Sequence, residues 1–292
     1  MVSLNNLEPK TLNQKTMDTF LLDQQLHKFL EEDLEHGDVT TDAIFTDETA
    51  MVQCIAREPL VACGMETVAA RMFCLLGGKS EFGQLAADGS RQEKGAVLFS
   101  VRGPVRTLLR GERVALNLIQ RLCGIATLTA RFVDQVQGTN VKIVDTRKTT
   151  PGLRMLEKYA VRCGGGANHR YSLSDGVLVK DNHIAACGSI TEAVRRVRAA
   201  TPHTLKIEVE CDTLAQVEEC LSAGVEIIML DNMDTATMTQ AVTMVGGRAM
   251  IEASGGVSLE TVRGVAETGV DIISVGSLTH SAPAVDIGLD WI

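Results

Sequence analysis

Six short segments of the chain repeat one arrangement: an apolar, strand-like run that ends in charged, hydroxyl or glycine residues. Lys142–Val144 leads into Asp145-Thr146-Arg147-Lys148, and Val177–Lys180 into Asp181-Asn182-His183. Leu205–Val209 carries Glu208 and is followed by Glu210, and Ile227–Leu230 runs into Asp231-Asn232. Ala249–Glu252 is followed by Ser254-Gly255-Gly256, and Asp271–Val275 by Gly276-Ser277 and, soon after, His280. Arg147, Lys148, His169, Arg170 and Lys180 form a cationic set. Guanidinium forks match carboxylates bidentately and an ammonium adds a point charge. So many cations in one pocket repel one another unless a multiply anionic ligand or acidic neighbours compensate them. Glu210 and Asp231 form an acidic set. Carboxylates that face phosphates work through a hard divalent ion with oxygen ligands, and Mg²⁺ suits them. Ser254-Gly255-Gly256 and Gly276-Ser277 leave backbone N–H groups bare near helix starts, where phosphate is cradled. The residues together suggest one ligand with carboxylates, a second with several phosphates, and a metal. That combination fits group transfer with pyrophosphate as leaving group.

The elements that must position these groups follow from the rhythm of the chain. The last five strand-like runs start roughly 22–28 residues apart. Ser189-Ile-Thr-Glu192 and Thr213-Leu-Ala-Gln216 read as capping boxes, and Ser258 can cap a further helix. Strand then helix, repeated with short loops, means parallel strands with right-handed crossovers. Six visible units, seven with a weak one, suggest a closed or nearly closed α/β barrel. An open doubly wound sheet is the alternative, weakened because no G-x-G-x-x-G opens the first βα turn. In a parallel barrel all the strand ends lie on one face, where active sites are built. Before this rhythm, residues 17–110 read as an α+β region: a helical opening (Met17–Leu34) and strand-like runs at Met51–Ala56, Leu60–Cys63 and Ala96–Val101. Pro104 precedes a long helical stretch, Arg113–Val136, with an interruption expected at Gly124.

The chain has 292 residues, 45% of them apolar, which is enough for one large domain or two modest ones. The boundaries read as a polar arm over 1–16, an α+β domain over 17–125 joined by the C-terminal tail (about 281–292), and a barrel over 126–280. The formal net charge of −9 argues against broad nucleic-acid or anionic-membrane binding, though not against a small anionic ligand. No apolar run is long enough for a membrane span, and the polar N-terminus lacks a secretory h-region. Eight cysteines, none in a C-x-x-C, read as small buried thiols of a reducing cytoplasm.

Seven motifs stand in order: Asp145-Thr-Arg-Lys-Thr-Thr-Pro-Gly-Leu-Arg154, Gly164-Gly-Gly-Ala-Asn-His-Arg170, Leu178-Val-Lys-Asp-Asn-His183, Glu208-Val-Glu210, Leu230-Asp-Asn232, Glu252-Ala-Ser-Gly-Gly256 and Gly276-Ser-Leu-Thr-His-Ser281. With Glu32-Asp-Leu-Glu-His-Gly-Asp-Val-Thr-Thr41 near the start, the chain from about Leu21 onward resembles the quinolinate phosphoribosyltransferase family. The resemblance implies quinolinate and phosphoribosyl pyrophosphate as substrates. It implies nicotinate mononucleotide, pyrophosphate and CO₂ as products, on the de novo route to NAD. It also implies an N-terminal open-faced sandwich, an incomplete, seven-stranded-type α/β barrel, and a homodimer with shared active sites. By the same resemblance Arg147, His169, Arg170 and Lys180 hold the two quinolinate carboxylates, and Arg113 reaches that pocket from the partner subunit. Lys148, Ser254, Gly255, Gly276 and His280 serve the phosphates; Glu210 and Asp231 serve the ribose and Mg²⁺. Lys148, Glu210 and Asp231 are the expected catalytic residues.

Other readings compete. A Schiff-base aldolase would use Lys180 as nucleophile but leaves the arginines and glycine loops only partly explained. A relative from molybdenum-transport operons changes the Lys-Asp-Asn-His segment, which is intact here. A non-catalytic phosphoribosyl pyrophosphate sensor is a third reading. His183 and His280 are read as either functional or structural. Glu208 and Glu210, two apart, share a strand face if the strand is regular.

Overall fold

Residues 17–292 are described by a computed structural model, so the polar arm expected over 1–16 lies outside the described residues. The chain divides into two compact units. One holds residues 17–128 with 155–165 and 282–292, and the other holds 129–154 and 166–281. The sequence places 155–165 with the barrel; they group instead with the first unit, where two of their polar side chains find partners. Glu157, fully buried, accepts from Arg121 Nε at 2.8 Å and Nη2 at 2.6 Å. The Tyr159 hydroxyl donates to Asp88 at 2.5 Å.

The first unit opens with α1 (Thr19–Leu34), started by Asp18, whose carboxylate accepts from Leu21 N–H. Leu22, Leu26 and Leu30, spaced by four, are its buried stripe. After α2 (Val39–Ile44) come β1 (Thr49–Ala56) and β2 (Leu60–Val61), a π-helical turn (Met65–Ala70), α3 (Arg71–Leu75), β3 (Glu81–Leu85), β4 (Arg91–Gln92) and β5 (Val97–Pro104). Phe73 of α3 packs on the sheet through Phe99 of β5 and Phe82 of β3, with ring centroids 6.3 and 6.4 Å apart. A loop knot lies nearby. Asp88 accepts from the N–H groups of Gly64 (2.9 Å) and Met65 (3.2 Å) as well as from Tyr159. Cys63, Asp88 and Cys163 offer potential ligand atoms within 4.8 Å of one another, but that carboxylate is already taken by these donors. Burial raises the Cys63 thiol well above its ordinary pKa, so the thiol stays protonated.

A single helix, α4 (Val105–Gln135), follows β5 directly. It runs through Gly124 without the expected interruption, and Arg113 lies in its interior rather than at its start.

The second unit repeats strand and helix: β6 (Lys142–Val144), then α5 (Arg154–Cys163, most of which counts with the first unit), β7 (Val177–Val179), α6 (Asp181–Cys187), α7 (Ile190–Ala200), β8 (Ile207–Cys211), α8 (Leu214–Ala223), β9 (Ile227–Asp231), α9 (Thr235–Val245), β10 (Met250–Ser254), α10 (Val262–Glu267), β11 (Ile272–Ser274) and α11 (Ser277–His280). All neighbouring strands pair in parallel, in the order β6-β11-β10-β9-β8-β7. Strands β7 to β11 sit side by side in chain order and β6 joins the far side of β11. Winding in one direction is barrel winding; a doubly wound sheet would reverse its order. A lone parallel bridge, Val144 to Ala167, marks the weak seventh position. The barrel is incomplete, since among the described residues β7 pairs only with β8.

Both expected capping hydroxyls accept their N–H, Ser189 from Glu192 at 3.1 Å and Thr213 from Gln216 at 3.3 Å. Gln216 completes its box; Glu192 instead pairs with Arg195 and Arg196. Ser258 lies in the turn before α10, whose N-cap position is Thr261, without a side-chain cap.

The chain then returns to the first unit as β12 (Ile287–Trp291), antiparallel to β1, completing a four-stranded sheet in the order β12-β1-β5-β3. This return explains Gly124. A Cβ there would lie 2.0 Å from the Pro283 carbonyl oxygen, so the glycine serves close approach of the returning backbone, not a helix break.

Candidate active site

The strand ends of the second unit surround a cavity of about 540 Å³. Its wall on the β6 side is set by Asp145, which is fully buried. Its carboxylate accepts from Asn168 Nδ2 at 2.6 Å and from His169 N–H at 2.9 Å, so β6 fixes the segment that carries His169 and Arg170. Arg147 and Lys148 follow on the same loop. The Lys148 carbonyl accepts from Thr279 Oγ1 at 2.9 Å, and the Arg147 carbonyl from Arg154 Nη2 at 3.4 Å. The Arg147 Nε is buried without a hydrogen-bond partner. A buried donor of this kind is costly unless a ligand accepts from it. Burial first, and the neighbouring Arg147 charge second, pull Arg170 below the usual guanidinium pKa. The two arginines therefore sit close enough to repel, which favours an anionic ligand between or beside them.

His169 is held at both ring nitrogens. Nδ1 accepts from Arg170 N–H at 2.7 Å, which leaves the proton on Nε2 in the neutral ring. Nε2 faces Glu208 Oε2 at 3.1 Å and Glu252 Oε1 at 3.6 Å. Both glutamates are buried, and the Oε1 of each lacks a hydrogen bond. Burial and then the Glu208 charge push the Glu252 carboxyl up to about 7. A carboxyl pair over one imidazole thus underlies the cationic wall.

Strand β8 ends two residues later than the sequence suggests, at Cys211, so Glu208 and Glu210 both lie within it and on one face. Glu208 is buried and Glu210 reaches the cavity. Glu210 Oε2 lies 3.2 Å from Lys180 Nζ. His183 Nδ1 accepts from the Lys180 N–H at 3.0 Å, a local contact where α6 begins.

Asp231 ends β9 beside Ser254, which ends β10. Gly255 and Gly256 follow with φ of +92° and +62°, left-handed values that favour glycine. Gly276 stands close to Lys148 and His280, since a Cβ on it would lie 3.1 Å from Lys148 Cδ and 3.2 Å from His280 Nε2.

Nine of the twelve residues expected from the sequence therefore line one cavity: Arg147, Lys148, His169, Arg170, Lys180, Glu210, Asp231, Ser254 and Gly255. Gly276 and His280 adjoin it through Lys148. Arg113 is carried by α4, exposed, and is not among the lining residues. Sequence alone assigns no site role to Asp145, Asn232 or Glu252. A signal for Glu252 is nonetheless present: a charged residue inside the otherwise apolar run of β10, just before the glycine turn.

Among known protein families, the quinolinate phosphoribosyl transferase C-terminal domain matches residues 125–290, and the corresponding N-terminal domain matches residues 38–123. A nicotinate-nucleotide pyrophosphorylase (carboxylating) of Mycobacterium leprae is 46% identical, over 91% of this chain and 95% of that protein. The human protein of the same name is 41% identical over 69% of this chain and 70% of its own length. Among solved structures, NadC from Streptococcus pyogenes superposes with a TM-score of 0.90 at 43% identity, covering 95% of this chain and 99% of that one. Nicotinate-nucleotide pyrophosphorylase from Ehrlichia chaffeensis superposes at 0.87 with 45% identity, covering 96% and 100%.

Proposed function

The chain belongs to the quinolinate phosphoribosyltransferase family, and on that basis we propose how its cavity performs the family's reaction. The enzyme is a pentosyltransferase. It transfers the phosphoribosyl group of phosphoribosyl pyrophosphate to quinolinate with decarboxylation, giving nicotinate mononucleotide, pyrophosphate and CO₂ for NAD biosynthesis. One observation supports this reading above the others. Cations and carboxylates meet in one cavity, which Arg147, Arg170 and Lys180 line together with Glu210, Asp231 and the glycine turn.

In this reading Arg147, His169, Arg170 and Lys180 receive the two carboxylates of quinolinate, and the unpartnered Arg147 Nε is one donor for them. Arg113, exposed on α4, joins that set from the partner subunit of a homodimer. Lys148, Ser254, Gly255, Gly276 and His280 receive phosphate. Glu210 and Asp231 are oxygen donors with no thiol among the lining residues, a set that fits Mg²⁺. When bound, the ion would neutralise charge on the departing pyrophosphate. The pyridine nitrogen attacks the ribose carbon as pyrophosphate leaves. Lys148 and the N–H groups of the turn offset the negative charge that grows there. Glu210 and Asp231 ease the positive charge on the ribose. Once alkylated, the ring nitrogen is cationic and stabilises the carbanion left when the adjacent carboxylate departs as CO₂. The protein chiefly positions and neutralises, without a covalent intermediate.

No described helix is long and apolar enough to cross a membrane. We place the enzyme in the cytoplasm. The decisive assay follows CO₂ and pyrophosphate release in Mg²⁺ with quinolinate and with nicotinate. Quinolinate should be strongly preferred, because the cationic set exceeds what one carboxylate requires. Equal turnover of the two acids would refute the assignment.

A further inference from the structure

Asn232 is the only non-glycine among the described residues with a left-handed backbone, φ +53°. Among residues with a side chain, asparagine is one of the few that enters this region readily, so the backbone by itself admits either asparagine or glycine. Glycine would fit the same backbone without strain, so the asparagine side chain itself needs an explanation. Its contacts supply one. Nδ2 donates to Asp231 Oδ2 at 2.7 Å. The backbone N–H donates to the Ser254 carbonyl at 2.9 Å. The Oδ1 occupies the space in front of Gly255, where an added Cβ would lie only 2.1 Å away. One residue thus touches the carboxylate that ends β9 and the turn that follows β10, while Asp231 and Ser254 are already paired in register.

We propose that Asn232 is a positioning residue that sets the cation-and-phosphate half of the site as one unit. Its amide engages one oxygen of Asp231 and leaves the other for a ligand. Its packing against Gly255 holds the phosphate turn at a fixed distance from that carboxylate. Gly255 is the complement of this arrangement, since any side chain there would displace the amide. The quinolinate half, built from β6, β7 and the loop carrying His169 and Arg170, receives none of these contacts. The inference rests on the proposed roles of Asp231 and Ser254–Gly256 in binding metal and phosphate.

The test uses the full-length enzyme with Asn232→Gly, which fits the left-handed backbone and removes the side chain, and Asp231→Asn as reference. Binding of phosphoribosyl pyrophosphate in Mn²⁺ is measured by calorimetry, Mn²⁺ binding by electron paramagnetic resonance, and quinolinate binding and melting temperature alongside. Partners of metal-side ligands typically change affinity by about ten- to a hundredfold, so Asn232→Gly should weaken phosphoribosyl pyrophosphate and Mn²⁺ by about tenfold or more. Quinolinate affinity and melting temperature should stay at wild-type values. If Asp231→Asn weakens both ligands while Asn232→Gly binds them normally, Asn232 positions nothing. Equal loss of quinolinate and phosphoribosyl pyrophosphate binding, with a lower melting temperature, would make its role merely structural and overturn the proposal. If Asp231→Asn itself binds both normally, the assigned role of Asp231 fails and the proposal falls with it.

Discussion

The Lys180 ammonium nitrogen lies 3.2 Å from the Glu210 carboxylate, joining a residue from the end of β7 to one from the neighbouring β8. The contact links the two halves of the cavity, a cation expected to meet quinolinate and an anion expected to meet ribose and metal. Neither charge is idle before substrates arrive, and removing either leaves the other uncompensated.

Lys180→Ala should therefore impair both substrates, quinolinate more. A charge-assisted hydrogen bond is worth about 1.5–3 kcal/mol, so kcat/KM for quinolinate should fall on the order of tenfold or more. Steady-state kinetics with each substrate varied in turn will show the split. A larger effect on phosphoribosyl pyrophosphate than on quinolinate would reverse the assignment of Lys180.

Glu252 sets a pH dependence of stability. Its folded pKa of about 7 exceeds the ordinary 4.5, so the folded state keeps a proton that the unfolded chain releases. That contribution is complete below about 4.5 and lost as pH rises through about 7, a change on the order of 3 kcal/mol. Glu252→Gln cannot ionise and escapes this loss. The melting temperature of Glu252→Gln minus that of wild type should rise between pH 5 and pH 7 and level off above. A difference that stays flat across this range would show that Glu252 titrates normally.

Two adjacent glycines should behave differently. At Gly255 a Cβ meets Asn232 Oδ1 at 2.1 Å and Asn232 N at 3.0 Å; at Gly256 nothing lies within 4 Å. Both have positive φ, so both alanine variants carry backbone strain. Only Gly255→Ala must also displace Asn232. It should raise KM for phosphoribosyl pyrophosphate well beyond the effect of Gly256→Ala, and equal effects would show that strain alone matters.

Gly124→Ala tests the fold. The substitution would favour α4 if helix propensity decided the outcome. The Pro283 carbonyl at 2.0 Å from the new Cβ forbids it without movement of the C-terminal return. Overpacking of this kind typically costs about 1–3 kcal/mol, so a lower melting temperature is expected. A gain in stability would mean that the 283–284 backbone shifts freely.

The shared-site proposal is tested by mixing. Arg113→Ala and Lys180→Ala homodimers should each keep at most about a tenth of wild-type activity at limiting quinolinate. After subunit exchange, random pairing makes about half the dimers mixed, each with one intact pocket, so activity should approach about a quarter of wild type. Absence of recovery despite demonstrated exchange would place Arg113 in its own subunit's site or mean that the pockets are coupled.

The second unit's architecture and most of its site are legible in the residues alone. A parallel strand is buried, short and apolar, so the polar residue where each run stops is conspicuous, and Asp145, Lys180, Asp231 and Ser254 stand out for that reason. Both charge sets follow from residue type. The remaining features depend on neighbours across strands, which no local pattern contains. Asp145 is only a polar strand end until Asn168 and His169, more than twenty residues on, return to its carboxylate. Glu208 and Glu252 are ordinary glutamates until β8 and β10 bring both to the same imidazole and burial makes their charges felt. Gly124 reads as a helix breaker because its reason lies some 160 residues away, in a backbone that returns to lie against it. Local pattern reports which residues face inward; only the folded chain reports what they face.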